Sequence, residues 1–231
     1  MQRNIVLTLL ILSLLVLSTL EMPALAAVGG NNSSEQLAPD LIGQTNQSDQ
    51  IVTAKEESLW LPMRTLWLEN VFWTRMTIVS IIQGCDNRAS VQNRLMRNYQ
   101  DIEATLSPYL GNETATKYGD LIKKNTQLTV DLAVAAGNKD QVAYENTSKS
   151  LLKNANNIAA FENATITKLS IDDRLVMWHN NLNLTNNETK ELANKDYNAS
   201  IDTFDLLEEQ TNMMADSLTN GIIQKSPTGF Q

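Results

Sequence analysis

Three stretches of this chain repeat one pattern at near-constant spacing. The first is Leu66-Trp67-Leu68-Glu69-Asn70-Val71-Phe72-Trp73-Thr74. The second is Leu121-Ile122-Lys123-Lys124-Asn125-Thr126-Gln127-Leu128-Thr129, and the third is Met177-Trp178-His179-Asn180-Asn181-Leu182-Asn183-Leu184-Thr185. Each reads apolar, then Asn four residues on, apolar three further, then Thr. Positions four and three apart share a face on an α-helix, so the pattern predicts three helices that each set an Asn inside an apolar seam. A shorter match extends the unit: Leu95-Met96-Arg97-Asn98…Ile102 corresponds to Leu151-Leu152-Lys153-Asn154…Ile158. The repeat is therefore a helical hairpin of about 55 residues, used twice in full and a third time with a tightened connection.

Helix breakers are sparse. Between Pro62 and Pro227 the only proline is Pro108, and apolar spacing is three and four throughout, without strand-like alternation. The expected fold is all-α, an up-and-down bundle of about six helices occupying residues 54–231. The first helix, from about Glu57 to Gln83, is apolar nearly all round, as a buried helix would be. The second stops at Ser107-Pro108. Asn112 caps a third that ends at Gly137, and the fourth runs from about Lys139 to Asn163. Ser170-x-x-Asp173 opens a short fifth, and the capping box Thr185-x-x-Glu188 opens a long sixth.

The N-terminus reads differently. Residues 1–27 carry Arg3, an apolar run from Ile5 to Leu20 and the small-residue exit Ala24-Leu25-Ala26, the layout of a secretory signal peptide cleaved after Ala26 or Ala27. Uncut, the same run would be a membrane anchor, though a short one. Residues 28–53 are rich in Gly, Asn and Ser and form a flexible tether in this reading. Localisation outside the cytoplasm, secreted or at the cell surface, follows. The net charge of −8 argues against nucleic acid, whose binding needs basic clusters. The single cysteine, Cys85, has no internal partner, so the core must stabilise the fold without a disulfide.

The recurrent polar residues are the first candidates for a site. Asn70, Asn125 and Asn181 are expected to converge with Thr74, Thr129 and Thr185 in a polar core layer. Such a layer either fixes register, as a seam Asn does in coiled coils, or surrounds a small polar ligand. Arg75 and Asp101 are expected to form an internal ion pair, with binding of a polar or anionic ligand as the alternative. His179, the only histidine, is placed at the surface or at a cap, and no partner motif marks it or Cys85 as catalytic. Trp60, Trp67, Phe72 and Trp73 read as core rather than as a ligand cleft. Glu-x-x-His pairs, phosphate-cradling loops and nucleophile elbows do not occur, and no cofactor is expected. Asn-x-Ser/Thr sequons mark possible glycosylation, with Asn46 in the tether and Asn112, Asn163 and Asn187 near expected helix ends as the better sites.

Several blocks together resemble a family of uncharacterised exported helical proteins of archaea and spore-forming bacteria, whose members often carry inherited labels such as glycosyltransferase or acetylglutamate kinase. The blocks are Leu66-Trp67…Asn70-Val71-Phe72-Trp73-Thr74-Arg75, Arg94-Leu95-Met96-Arg97-Asn98…Asp101-Ile102, Asn154-Ala155…Ile158-Ala159-Ala160-Phe161 and Met214-Ala215-Asp216-Ser217-Leu218…Gly221-Ile222-Ile223. The resemblance implies a fold and a compartment, not an activity. It also implies histidines where this chain has Asn70, Asn125 and Asn181. Three imidazoles would suit a metal such as zinc; three amides would not. No metal is therefore expected. The functional expectation is a non-enzymatic exported protein of unknown role, a surface or secreted component that is structural or binds an unknown protein or a small polar ligand, touching a membrane only if the signal segment stays uncut. The alternative is a small-molecule or metal-binding module built on the polar layer.

Overall fold

The computed structural model describes residues 52–166 and 170–231. The expected signal segment, the tether up to residue 51 and Asn46 lie outside the described residues. Six helices follow one another: α1 (Ala54–Gln83), α2 (Arg88–Leu110), α3 (Asn112–Gly137), α4 (Gln141–Thr165), α5 (Ile171–Ala193) and α6 (Tyr197–Lys225), with a short 3-10 turn at Pro227–Phe230. No strand occurs among the described residues. The architecture is the all-α up-and-down bundle that the spacing predicts.

Three hairpins, α1–α2, α3–α4 and α5–α6, are arranged about a common axis. The odd helices α1, α3 and α5 touch one another, and each even helix lies against two of them: α2 on α1 and α3, α4 on α3 and α5, α6 on α5 and α1. The ring thus closes through α1 and α6, where Arg64 donates two hydrogen bonds of 2.6 Å to the Asp216 carboxylate. At one end of the bundle each hairpin turn contains a residue with left-handed backbone: Gly84 (φ 67°), Lys139 (φ 56°) and Lys195 (φ 63°). Glycine suits this conformation and lysine resists it, so two of the three turns hold their shape at some local cost. Asp140 and Asp196 then cap α4 and α6 by accepting from the backbone N–H of Ala143 and Ala199. The opposite end is closed by the C-terminus, where Phe230 stacks on Tyr109 at 5.3 Å and its carbonyl accepts from the Thr53 hydroxyl.

The hairpins share one buried hydrogen bond. Asn98 donates from Nδ2 to the Leu66 carbonyl (2.9 Å), Asn154 from Nδ2 to the Leu121 carbonyl (3.1 Å) and Gln210 from Nε2 to the Met177 carbonyl (3.1 Å). The acceptors are the first residues of the three repeats. All three amides are buried. Inside the ring, one residue beyond these carbonyls, Trp67, Ile122 and Trp178 belong to one apolar cluster, with the two indoles 5.8 Å apart. Burying each such side chain contributes about 1.5–3 kcal/mol.

Several expectations need correction. The third hairpin is full length, because α5 runs to Ala193. Thr185-x-x-Glu188 does not start a helix: the Thr185 hydroxyl turns back to the Asn181 carbonyl and Glu188 reaches a cation on another helix. The real opening of the sixth helix is Asp196. Pro108 does not stop α2, which continues to Leu110; the ring removes a single bond, to the Ala104 carbonyl, and the helix closes beyond it with the Gly111 N–H donating to the Ser107 carbonyl. The cap of α3 is Gly111, with Asn112 its first residue. The α1 helix begins earlier than expected, at a capping box of Thr53 and Glu56. Nor is α1 buried all round, since Leu61 is 57% and Phe72 48% exposed.

If the recurrent amide bond locks each hairpin, its loss should be costly where both of its ends are engaged. Asn98→Ala should lower the unfolding free energy by about 2 kcal/mol in urea titration. Asn154→Ala should cost less, because the Asn154 Oδ1 is buried without a partner in the intact protein.

Candidate binding site: the axial polar layer

Asn70, Asn125 and Asn181 stand one helical turn beyond the Trp67–Ile122–Trp178 layer, on the same side of α1, α3 and α5. Thr74, Thr129 and Thr185 follow one turn later. Beyond them Ile78, Ala133 and Leu192 belong to a second apolar cluster. The repeated residues therefore form a polar band between two apolar ones. Thr129 and Thr185 are buried, while Asn70, Thr74, Asn125 and Asn181 are half-buried.

The band is not a closed ring of mutually bonded amides. Asn70 donates from Nδ2 to Oδ1 of Asn98 at 2.9 Å, and Asn98 in turn donates to Leu66. The second hairpin has the same residue types in the same places, Asn125 and Asn154, but there Asn154 Oδ1 has no partner although the residue is 1% exposed. Thr129 and Thr185 spend their hydroxyl protons on the backbone carbonyls of Asn125 and Asn181. A buried carbonyl oxygen left unmatched costs about 1–3 kcal/mol unless a water or another polar molecule meets it.

The expected Arg75–Asp101 pair does not form. Arg75 reaches across to α5, pairing through Nη1 with Glu188 while also donating 2.8 Å to the Ser200 carbonyl of α6, and its guanidinium lies 4.8 Å over the Phe204 ring. Asp101 faces Arg97 one turn away on its own helix, at 3.7 Å. Helical spacing alone does not fix the partner of Arg75, since α2, α3, α5 and α6 all pack against α1. Burial raises the Glu188 carboxyl to about 7; Arg75 opposes the rise and Glu191 adds to it.

A second buried charge cluster went unseen in the sequence. Glu162 of α4 and Arg174 of α5 are each 2% exposed. Glu162 accepts from the Tyr118 hydroxyl (2.8 Å), the Trp178 indole N–H (3.0 Å) and Arg174 Nη1 (3.4 Å). Arg174 also donates to the Ser217 hydroxyl. Burial pushes the Glu162 carboxyl up, while Arg174 and the hydrogen bonds from Trp178 and Tyr118 pull it down. Burial likewise pushes the Tyr118 phenol well above its ordinary range, assisted by the Glu162 charge. The signal that could have found this cluster is a mismatch in the repeat: where Glu162 stands the other hairpins have Leu106 and Leu218, and where Arg174 stands α1 has Met63.

The remaining candidates are structural or peripheral. His179 is half-buried in mid-α5 rather than at a helix end, with Nε2 2.7 Å from Asn156 Oδ1. Cys85 lies in the turn after α1. Trp67 is core, and Trp60 lines a surface cleft of about 460 Å³ with Glu56, Asn220 and Gln224. Asn112 and Asn163 are exposed near helix ends, whereas Asn187 is exposed within α5. Among the described residues no three His, Cys, Asp or Glu side chains gather in a way that could hold a metal ion, and no helix is long and apolar enough to cross a membrane. No known protein family, curated protein or solved structure matches the chain.

Two outcomes test the electrostatics. Glu188 has a folded pKa near 7 against an ordinary value of 4.5, so the native state holds the extra proton between them. The stability difference between wild type and Glu188→Gln should therefore shift against wild type as pH rises from about 4.5 to about 7, by up to about 3 kcal/mol, and level off above. Glu162→Leu should cost at least about 3–5 kcal/mol, because it strands a buried guanidinium. Adding Arg174→Met should recover about 2 kcal/mol of that, measured as coupling in a double-mutant cycle.

Proposed function

We propose that this chain is an exported, non-enzymatic helical-bundle protein that acts by binding, as a secreted or cell-surface component, and that its axial polar layer takes a small neutral polar molecule. Export rests on the N-terminal sequence: a basic residue, an apolar run and the Ala24-Leu25-Ala26 exit. The observation that carries the binding role is the unmatched Asn154 Oδ1 beside a band whose other members are amides and hydroxyls. Amides supply donors and acceptors without charge, so they recognise a neutral polar group rather than an ion. Among the interior ionisable groups, Glu162 pairs with Arg174 and Glu188 with Arg75, and this pairing favours a binding role over an acid–base one. Amide oxygens are poor ligands for transition metals, which favours this reading over a metal-binding role.

Native mass spectrometry of the exported protein tests both halves. The expected result is a mature chain lacking residues 1–26 or 1–27, carrying a small organic mass that Asn125→Ala and Asn154→Ala both remove, with no stoichiometric transition metal by elemental analysis. A chain retained in the cytoplasm with its N-terminus intact would contradict export. A chain carrying no such mass, or one equivalent of metal, would contradict the binding role.

A further inference from the structure

The buried amides that align the hairpins also align their outer surfaces. Counted from Asn98, Asn154 and Gln210, one row of side chains runs along the outside of each even helix. On α2 it reads Ser90, Arg94, Arg97 and Asp101, on α4 Asn146, Ser150, Lys153 and Asn157, and on α6 Asp202, Leu206, Glu209 and Met213. In the first hairpin Arg94 fills the seam between the two helices: it pairs with Glu69 at 2.6 Å, and its guanidinium lies 5.2 Å over the Trp73 ring. In the third hairpin the equivalents of Glu69, Trp73 and Arg94 are Asn180, Leu184 and Leu206, and all three line an open groove of about 280 Å³. Leucine is shorter than arginine, so the seat that Arg94 occupies stands open there. Met213 adds a further apolar wall, and Glu209 is the only carboxylate lining the groove. Gln210 stands in the same wall and is 6% exposed; its Nε2 donates to the Met177 carbonyl, and its Oε1 accepts from no described residue.

We infer that this groove and the row around it dock a basic segment of another protein, with one Arg or Lys side chain of the partner taking the place that Arg94 takes in the first hairpin. The methylene stem of such a side chain suits Leu184, Leu206 and Met213, the last two of which are about half exposed. Its head donates to the Glu209 carboxylate and to the open Gln210 Oε1. The charge of the face selects the same partner. Asp202, Asp205, Glu208 and Glu209 are exposed, and none of them is in an ion pair among the described residues. Helix α6 has no basic residue before Lys225, which bonds the Thr165 carbonyl; Lys195 lies in the turn before the helix. Arg64 and Arg75, which α1 extends towards α6, are neutralised by Asp216 and Glu188. The face therefore carries negative charge that the chain does not match, and it is complementary to a cationic partner. The fold does not dictate that sign, since Arg97 and Lys153 stand on α2 and α4 where α6 has Glu209.

Fluorescence anisotropy of a labelled peptide of alternating Arg and Ala, titrated with the whole chain, tests the site. Saturable binding with a Kd below about 100 μM is expected at physiological salt, and none for the same peptide with Gln in place of Arg. Leu206→Arg refills the seat from within, as Arg94 does, and should weaken binding at least about tenfold while leaving the melting temperature near wild type, since Leu206 is half exposed. Asp202→Asn combined with Glu209→Gln should weaken binding by a similar factor and flatten its salt dependence. Asp131→Arg, a larger charge change on the exposed face of α3, should leave the affinity within about twofold. Absence of binding to the wild type overturns the proposal. Binding that survives Leu206→Arg, or that Asp131→Arg weakens as much as the groove variants do, overturns it equally, because it would report the overall charge and not the groove.

Discussion

A carbonyl inside an α-helix accepts one hydrogen bond from the amide four residues on and keeps a second lone pair free. This protein uses that spare acceptor at one place in every hairpin. Asn98, Asn154 and Gln210, each buried on an even helix, donate to Leu66, Leu121 and Met177 on the preceding odd helix. Apolar packing between two helices tolerates slippage, because one leucine contact resembles the next. A buried amide does not, since a shift of one turn leaves its donor facing hydrocarbon at a cost of several kcal/mol. The bond therefore fixes the register of each hairpin. Three hairpins in the same register place their inner aromatic and polar positions at the same height.

With that frame set, departures from the repeat stand out. Glu162 and Arg174 take the places of leucine and methionine, and Glu188 stands where α3 has Leu132. Desolvating two charges offsets much of their attraction, so such pairs contribute little to net stability. They do forbid alternatives: a hairpin docked in the wrong third of the ring would strand Arg174 or Glu188. The three hairpins are alike enough to exchange places, and these buried pairs make the closed arrangement unique. The outer row of α6 departs on the solvent side instead, with Leu206 in the place of Arg94 and Glu209 in that of Arg97 and Lys153.

The fold was largely legible because hydrophobic spacing reports helices directly and the breakers were few. The boundaries at Gly84 and Ser170 followed from ordinary capping chemistry. The misreading at Thr185 shows the limit of that chemistry: Thr-x-x-Glu caps a helix only where the backbone is free to start one, and inside α5 the same residues serve tertiary contacts. The recurrence of Asn was visible, but its use was not. Asn70 bonds to Asn98 rather than to its counterparts on α3 and α5, because the even helix is nearer than the axis. Arg75 was assigned the wrong carboxylate for a similar reason, as sequence does not say which of the four helices packed on α1 a long side chain reaches. The Glu162–Arg174 cluster needed the third hairpin to be aligned residue by residue, and the tightened connection assumed for it hid the match.

The amide-to-carbonyl bond in each hairpin is open to direct observation by NMR hydrogen exchange of side-chain amides. The Nδ2 protons of Asn98 and Asn154 and the Nε2 protons of Gln210 should exchange slowly, in concert with the buried backbone amides of their helices, while exposed amides such as Asn156 and Asn220 exchange freely. Free exchange at those three side chains in the folded protein would show that their donors face water, and the shared register that holds the three hairpins about one axis would have to be given up.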